Sequence, residues 1–483
     1  MLSEPNTDVI ITGHERLING EDTFRSISIS SENDFSERKH FKFIPEKFLN
    51  VLLLGFGFML NIGALQTCVM CQTVVLNSVH DNWFDGSPTE GYVFMAINCA
   101  TQAVAYLFGA SVSALIGPKL VLVAGSVCIS LYIASFIRPF VATIYAGSVI
   151  AGMGGGFIWA VQGYFVAVNS RSDTVERNYG IFWGIFQSSL ISGSLFYFFM
   201  LRGADTITPN TRYAVFATLT TAAVVGVILF SLIRHPWTSS TNVRRPAVSI
   251  TRTRTEKAKE ELIATVKLGL KREMLFLVPH FFYIGMQATF WNSVYSTTLG
   301  YTLRFGNIGQ SLVGLNGVFL GIGEIIASSF LGLAGKWSNR HGRDIFLIAG
   351  MITHFVALYL IFLNLPSDAP IHPTSNGSYL GNPNAYLAMF CIAIFGVGDA
   401  IWTNQLMAYL GWVYPYKTVA AFGVYQFYCA VVNSAAFWYS TILTLPYQFL
   451  LLVGTALPAA AGFCWMEWKT SRRTWEANES LFN

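Results

Sequence analysis

Long apolar blocks separated by short polar breaks run along most of this chain. Twelve of them fall at about residues 48–78, 90–115, 118–137, 141–167, 180–202, 212–234, 274–298, 309–334, 344–364, 384–414, 418–440 and 446–466. A helix of about 20 residues crosses a hydrocarbon layer about 30 Å thick, and every block supplies that length. The pattern predicts an all-α membrane protein of twelve transmembrane helices. Most breaks are short, so neighbouring helices are expected to pack antiparallel.

The sequence of these blocks repeats. Ile158-Trp-Ala-Val-Gln162 returns as Ile401-Trp-Thr-Asn-Gln405, and Trp183-Gly-Ile-Phe-Gln187 as Phe422-Gly-Val-Tyr-Gln426. Val93–Ile97, Ala110–Gly117 and Leu122–Gly125 return as Val318–Ile322, Gly335–Gly342 and Leu347–Gly350, all at one offset. A duplicated membrane chain predicts two pseudo-symmetric six-helix bundles with a cavity between them. On this reading 1–46 is a disordered cytosolic tail, 47–234 the N-terminal bundle and 235–272 a cytosolic linker. Residues 273–466 form the C-terminal bundle and 467–483 a cytosolic tail. The linker carries Thr253-Arg-Thr-Glu256 at capping-box spacing. Ile263, Val266 and Leu270 follow at helical intervals among Lys257, Lys259, Lys267 and Lys271. That predicts an amphipathic helix on the membrane face.

Composition agrees, at 53% hydrophobic and 12% charged, and excludes a soluble globular chain. Of the 30 Lys and Arg, only Arg138, Arg202, Arg212 and Arg304 fall at the odd-numbered connections. The positive-inside rule then places both termini in the cytosol. It leaves the membrane, plasma or endolysosomal, open. The sequon Asn376-Gly-Ser378, between spans nine and ten, falls on the luminal or extracellular side as a glycosylation candidate. A net charge of +4 is accounted for by this topology and gives no support for nucleic acid as a partner. All seven Cys lie in apolar blocks, where they serve as small buried groups. Cys68-x-x-Cys71 has no matching His or Cys pair, so no metal or redox centre is expected. No phosphate-cradling loop or catalytic Ser/His/Asp set is visible, and neither a cofactor nor enzymatic activity is expected.

Candidate chemistry sits on the polar residues inside the spans. The cavity candidates are Asn61 and Gln66 on span one, Trp159 and Gln162 on span four, and Gln187 on span five. Gln287, Trp291 and Asn292 on span seven, Trp402 and Gln405 on span ten, and Gln426 on span eleven complete the set. Amides in lipid are costly unless paired, so they must face the protein interior or water. Two roles stay open: matched Gln pairs bridging helices, or a lining that binds a solute. Glu324 on span eight and Asp399 on span ten are ionisable groups at membrane depth, which makes them candidates for proton or cation coupling. His280, after Pro279, and His354 read as hydrogen-bonded structural residues. Gly152, Gly154, Gly155 and Gly156, with Gly314, Gly317, Gly321 and Gly323, supply smooth helix faces.

The connection after span eight runs Gly335-Lys-Trp-Ser-Asn339-Arg340-His-Gly342-Arg343-Asp344. It resembles the loop signature of the major facilitator superfamily, with Asn339 where an Asp is usual. Its Gly and Arg residues are candidates for a cytosolic gate. A closer likeness covers spans one to five: Ala64-Leu-Gln66-Thr-Cys68, Tyr132-Ile-Ala134, Trp159-x-x-Gln162-Gly163, Arg177-Asn178-Tyr-Gly180-Ile-Phe-Trp183 and Gln187-Ser-Ser189. These motifs resemble the uncoordinated-ninety-three-like (UNC-93-like) family, a divergent branch of that superfamily, and within it an orphan subfamily. The resemblance implies the major facilitator fold and one of two roles. Relatives include a regulatory subunit of a potassium-channel complex and a trafficking chaperone of receptors. Other members of the superfamily move small organic solutes by alternating access. Span four lacks the Arg and span five the Gly-Pro motif of many proton-coupled members. The leading expectation is therefore a regulator of a potassium channel or of membrane-protein trafficking. The alternative is a secondary transporter with a Trp/Gln cavity and Glu324 as a proton site.

Overall fold

The structure, a computed structural model, describes residues 46–77, 89–170, 175–201, 208–234, 253–414 and 418–482. The expected tail before Glu46 lies outside the described residues. Six helices make the first half: α1 (Glu46–Asn77), α2 (Glu90–Ile116), α3 (Pro118–Ser135), α4 (Val141–Val168), α5 (Val175–Leu201) and α6 (Pro209–Leu232). A connecting helix, α7 (Arg254–Gly269), leads into the second half. That half holds α8 (Arg272–Thr289), α9 (Tyr295–Tyr301), α10 (Gly309–His341), α11 (Asp344–Asn364), α12 (Ala385–Val413), α13 (Thr418–Tyr439) and α14 (Leu445–Phe482).

Among the described residues eleven helices are long and apolar enough to cross a membrane, and the chain is a multipass integral membrane protein. The expected seventh span is not one of the eleven because it is not one helix. α8 passes through a π-helical turn, Phe290–Val294, into α9, so its helical path over Arg272–Tyr301 is broken in the middle. α14 runs on to Phe482, well past the expected end at 466. Helix starts follow local chemistry. Thr208 accepts from the Thr211 amide ahead of Pro209, and Asn384 accepts from the Leu387 amide at the start of α12.

The two halves are built alike. α2 and α3 pack on α4 as α10 and α11 pack on α12, and α1 meets α5 and α6 as α8 meets α13 and α14. The turns also match. Gly117 between α2 and α3 has φ 92, and Gly342 between α10 and α11 has φ 99, a conformation only glycine adopts without strain. Small residues bring the helices together. A Cβ at Gly154 would lie 2.6 Å from the Gly125 carbonyl oxygen, so α3 and α4 touch backbone to backbone.

Two seams join the halves, α2 against α13 and α5 against α10. α7 straddles the first seam. Its capping box is complete, with the Thr253 hydroxyl bonded to the Glu256 amide and the Glu256 carboxylate to the Thr253 amide. Ser111 on α2 donates to the Ala258 carbonyl at 2.8 Å, and Val424 on α13 packs against Gly269. The face turned to the protein carries Ala258, Thr265 and Leu268, while Ile263, Val266 and Leu270 are exposed. The expected apolar stripe therefore points outward, where a membrane surface would cover it.

Candidate functional site

The α5–α10 seam closes in a series of steps set by small residues. A Cβ at Gly314 would lie 2.6 Å from the Phe198 backbone nitrogen, and one at Gly317 would overlap the Ser194 hydroxyl. One at Gly321 would come within 3.1 Å of Ile191. The next step is polar: Gln187 Nε2 donates to Glu324 Oε2 at 3.4 Å. Beyond it no further step is seen among the described residues, where Cβ atoms at Gly184 and Gly180 would meet nothing within 4 Å and Trp183 is exposed.

Glu324 does not stand alone. Its carboxyl group lies close to that of Asp399 on α12. Asp399 Oδ1 in turn accepts from Gln287 Nε2 on α8 at 2.7 Å. Four candidates from four helices are thus bonded in two pairs, Gln187 with Glu324 across the halves and Gln287 with Asp399 within the second.

The aromatic candidates separate. Trp159 is half-buried, with its ring 5.9 Å from that of Trp183 in a stack and edge-on to Phe58 and Phe186. It also packs on Ala103, Tyr106 and Ala430, where the two halves meet at the α2–α13 seam. Gln162, one turn on, is buried, and its Nε2 finds no acceptor. Its repeat partner region is different. Trp402 is fully buried between His280 and Tyr283, 4.7 Å and 4.3 Å away by ring centroid, inside the second half. It is a packing residue, held there because α8 crosses α12 at that point. Gln405 is buried too, and Gln426 is half-buried on α13.

Asn61 is spent on structure. Its Nδ2 donates to the Ser126 carbonyl, the Ser130 hydroxyl and the Ala223 carbonyl, cinching α1 to α3 and α6 away from the seams. Gln66 Oε1 accepts from Ser189 on α5 at 3.3 Å. Trp291 and Asn292 belong to the π-helical turn. The Trp291 carbonyl accepts from Asn316 Nδ2 at 3.0 Å. His280 and His354 are buried and bonded, His354 to the Tyr283 hydroxyl at 2.6 Å and to the Phe395 carbonyl.

The loop signature is only partly a loop. α10 continues through His341, and the turn is made by Gly342. The surroundings of Gly335 and the side chains of Asn339 and Arg340 lie outside what the structure describes. Arg343 bonds Glu467 of α14, within its own half, at 2.9 Å. Asn376 is exposed on the connection between α11 and α12, and its amide donates to Asp368 at 2.8 Å.

Asn316, like Gln72 and Asn98, is a buried span amide that the sequence pattern did not single out. It is fully buried in α10, two turns before Glu324, and also donates to the Ser296 hydroxyl at 2.7 Å. The rule that singled out the span glutamines, an amide inside an apolar block, applies to it equally. Ser434, which donates to the Ala96 carbonyl at 2.7 Å across the α2–α13 seam, left no such signal because serines are common in spans.

Two grooves open on the outer surface of the first half. One, of about 460 Å³, runs between α1 and α6 along Leu60, Ala217, Thr218, Thr221, Ala222 and Val225. The other lies at the turn from α2 to α3 around Gly117 and Pro118.

Residues 85–464 match the family model described as "Ion channel regulatory protein UNC-93". The chain is 34% identical over 441 residues to the UNC93-like protein MFSD11 of Xenopus tropicalis, covering 89% of this chain and 98% of that one. It is 23% identical over 380 residues to the protein unc-93 homolog A of Homo sapiens, covering 68% and 76%. Among solved structures, a POT family transporter in complex with 5-aminolevulinic acid superposes with a TM-score of 0.64 at 11% identity, covering 89% of this chain and 98% of that one. The xylose transporter XylE from E. coli, in a partially occluded inward-open conformation, gives 0.60 at 14% identity over 86% and 97%. Likeness at such low identity establishes the fold, that of the major facilitator transporters.

Proposed function

The chain belongs to the UNC-93 family, and from that premise we propose that it regulates another membrane protein, either a potassium channel or a protein in membrane traffic. The observation that carries this reading is the family match itself, which runs from the start of α2 into α14 and so takes in both halves. Both termini lie in the cytosol on this reading, with the connection between α11 and α12 on the opposite face. The membrane is the plasma membrane or an endolysosomal one, and no enzymatic step is assigned.

The test compares cells with and without the chain. Selective loss of one or a few membrane proteins from the surface or endolysosomal proteome, or a changed potassium current, is expected. An unchanged proteome together with unchanged currents overturns the reading.

A second reading, a transporter of a small organic solute, is supported by Gln162. A buried amide with an unused donor beside the Trp159–Trp183 stack offers a hydrogen bond and a flat apolar wall to such a solute.

A further inference from the structure

We propose that the C-terminal half of α7 is a docking surface for the anionic lipids of the cytosolic leaflet. Ile263, Val266 and Leu270 seat among the acyl chains, while Lys267, Lys271 and Arg272 hold headgroups. The inference goes beyond both functional readings and holds equally for a regulator and for a transporter. Only the choice of leaflet rests on the topology proposed above.

α7 lies beside the bundle rather than beneath it. Ser111, which donates to the Ala258 carbonyl, stands five residues before the end of α2 at Ile116. Val424, which meets Gly269, stands six residues after the start of α13 at Thr418. At 1.5 Å per residue both contacts fall about 8–9 Å in from the helix ends, so α7 rests on the flanks of two spans. Its buried side, with Ala258, Thr265 and Leu268, is turned to the protein. Ile263, Val266 and Leu270 share another side at i, i+3 and i+7 spacing, and Leu270 is 68% exposed. Bare apolar side chains at the flank of membrane spans are covered by lipid.

Charge divides α7 in two. Arg254, Lys257 and Lys259 are balanced in sequence by Glu256, Glu260 and Glu261. Residues 262–272 hold Lys267, Lys271 and Arg272 and no acid. All three are exposed, and none pairs with a carboxylate among the described residues. Lys267 lies four residues from Ile263 and three from Leu270, so its stem borders the apolar stripe. The helix dipole accounts for Lys267, which stands in the last turn of α7. It opposes the other two. Lys271 is the N-cap of α8 and Arg272 its first residue, where the positive helix end disfavours a cation. An anion from outside the chain offsets that cost.

The apolar stripe decides which anion. A free phosphate leaves Ile263, Val266 and Leu270 in water, whereas an anionic leaflet covers them and presents phosphates at their border. Each basic residue near such a surface strengthens docking about fivefold, and three together about a hundredfold. Docking also braces the α2–α13 seam, since the same helix holds α2 through Ser111 and α13 through Gly269.

The experiment uses the full chain in nanodiscs of phosphatidylcholine, with or without phosphatidylserine in both leaflets. An environment-sensitive dye on Val266→Cys, corrected for labelling of the parent chain, is challenged with the neutral quencher acrylamide. Amide hydrogen exchange over 262–271 gives a second readout that needs no substitution. Phosphatidylserine is expected to slow quenching and exchange several-fold, and high salt to restore both. The triple change Lys267→Gln, Lys271→Gln and Arg272→Gln is expected to remove that response and leave the values in phosphatidylcholine unchanged. The proposal is overturned if dye and amides behave alike in the two lipids, or if the triple variant keeps the response. It is also overturned if inorganic phosphate slows exchange in phosphatidylcholine discs as phosphatidylserine does, since the ligand is then a free anion. Exchange in the unsubstituted chain decides alone should a variant fail to fold. Because both leaflets carry the same lipid, the outcome is independent of topology, which the Asn376 sequon tests separately.

Discussion

Arg343 and Glu467 form a 2.9 Å ion pair whose side chains are only 11% and 6% exposed, tying the turn after α10 to α14. The guanidinium also lies 5.1 Å from the Trp412 ring, so α12 joins the same contact. Burying a pair costs desolvation on both sides, but removing one partner strands the other charge, which costs about 3–5 kcal/mol. Arg343→Met is therefore expected to lower the melting temperature in detergent far more than the double change with Glu467→Leu. Equal losses for the single and double variants would mean the pair does not act as a unit.

Gly314 and Gly184 separate the closed and open stretches of the α5–α10 seam. A methyl at Gly314 meets the Phe198 backbone, which cannot yield as a side chain does, and overpacking of that kind costs about 1–3 kcal/mol. A methyl at Gly184 meets nothing, and helix propensity then favours Ala by about 0.5–1 kcal/mol. Thermal melts of the two alanine variants should move in opposite directions. If Gly184→Ala destabilises as much as Gly314→Ala, the seam does not end at Gln187.

Short breaks suggested that neighbouring helices pack together, whereas α2 packs on α4 and α1 on α5 and α6. The helices themselves were legible because lipid forces every span to be long and apolar, and the repeat indicated which spans correspond. The turn glycines show this best, as Gly117 and Gly342 occupy matching positions and share one backbone conformation. The site was legible only in part. An apolar block reveals that Gln187, Gln287, Glu324 and Asp399 must be paired, but not with whom, because partners come from helices far apart in sequence. The same limit placed Asn61 and Trp402 among cavity residues when each packs inside its own half. Their chemistry resembles that of Gln162 and Trp159, and only helix crossing distinguishes them. The π-helical turn in span seven left no trace in hydropathy, since Phe290–Val294 is as suited to an α-helix.

Asn376 tests the orientation. It is exposed on the connection between α11 and α12, and its hydrogen bond to Asp368 is local and easily exchanged for water. Expression in a glycosylating cell should yield a species whose mobility shifts with glycosidase, and Asn376→Gln should abolish that shift. An unshifted wild-type band, with a sequon inserted into a cytosolic connection becoming modified instead, would reverse the proposed topology.

Gln162 discriminates between the two functional readings. Its unpaired Nε2 costs about 1–3 kcal/mol while nothing binds there, so replacing it by an apolar residue of similar shape removes that cost. Gln162→Met is expected to raise the melting temperature of the ligand-free protein. A solute that uses the amide must stabilise the wild type, by about 2.7 kcal/mol at a hundredfold excess over its Kd, and lose that effect in the variant. Screening metabolites by thermal shift against both proteins separates the cases. A hit that depends on Gln162 makes the chain a binder of small solutes and moves the argument toward transport. A Gln162→Met protein that is more stable, ligand-blind and still restores the membrane proteins lost without the chain would place that amide outside function, leaving regulation as the role of the fold.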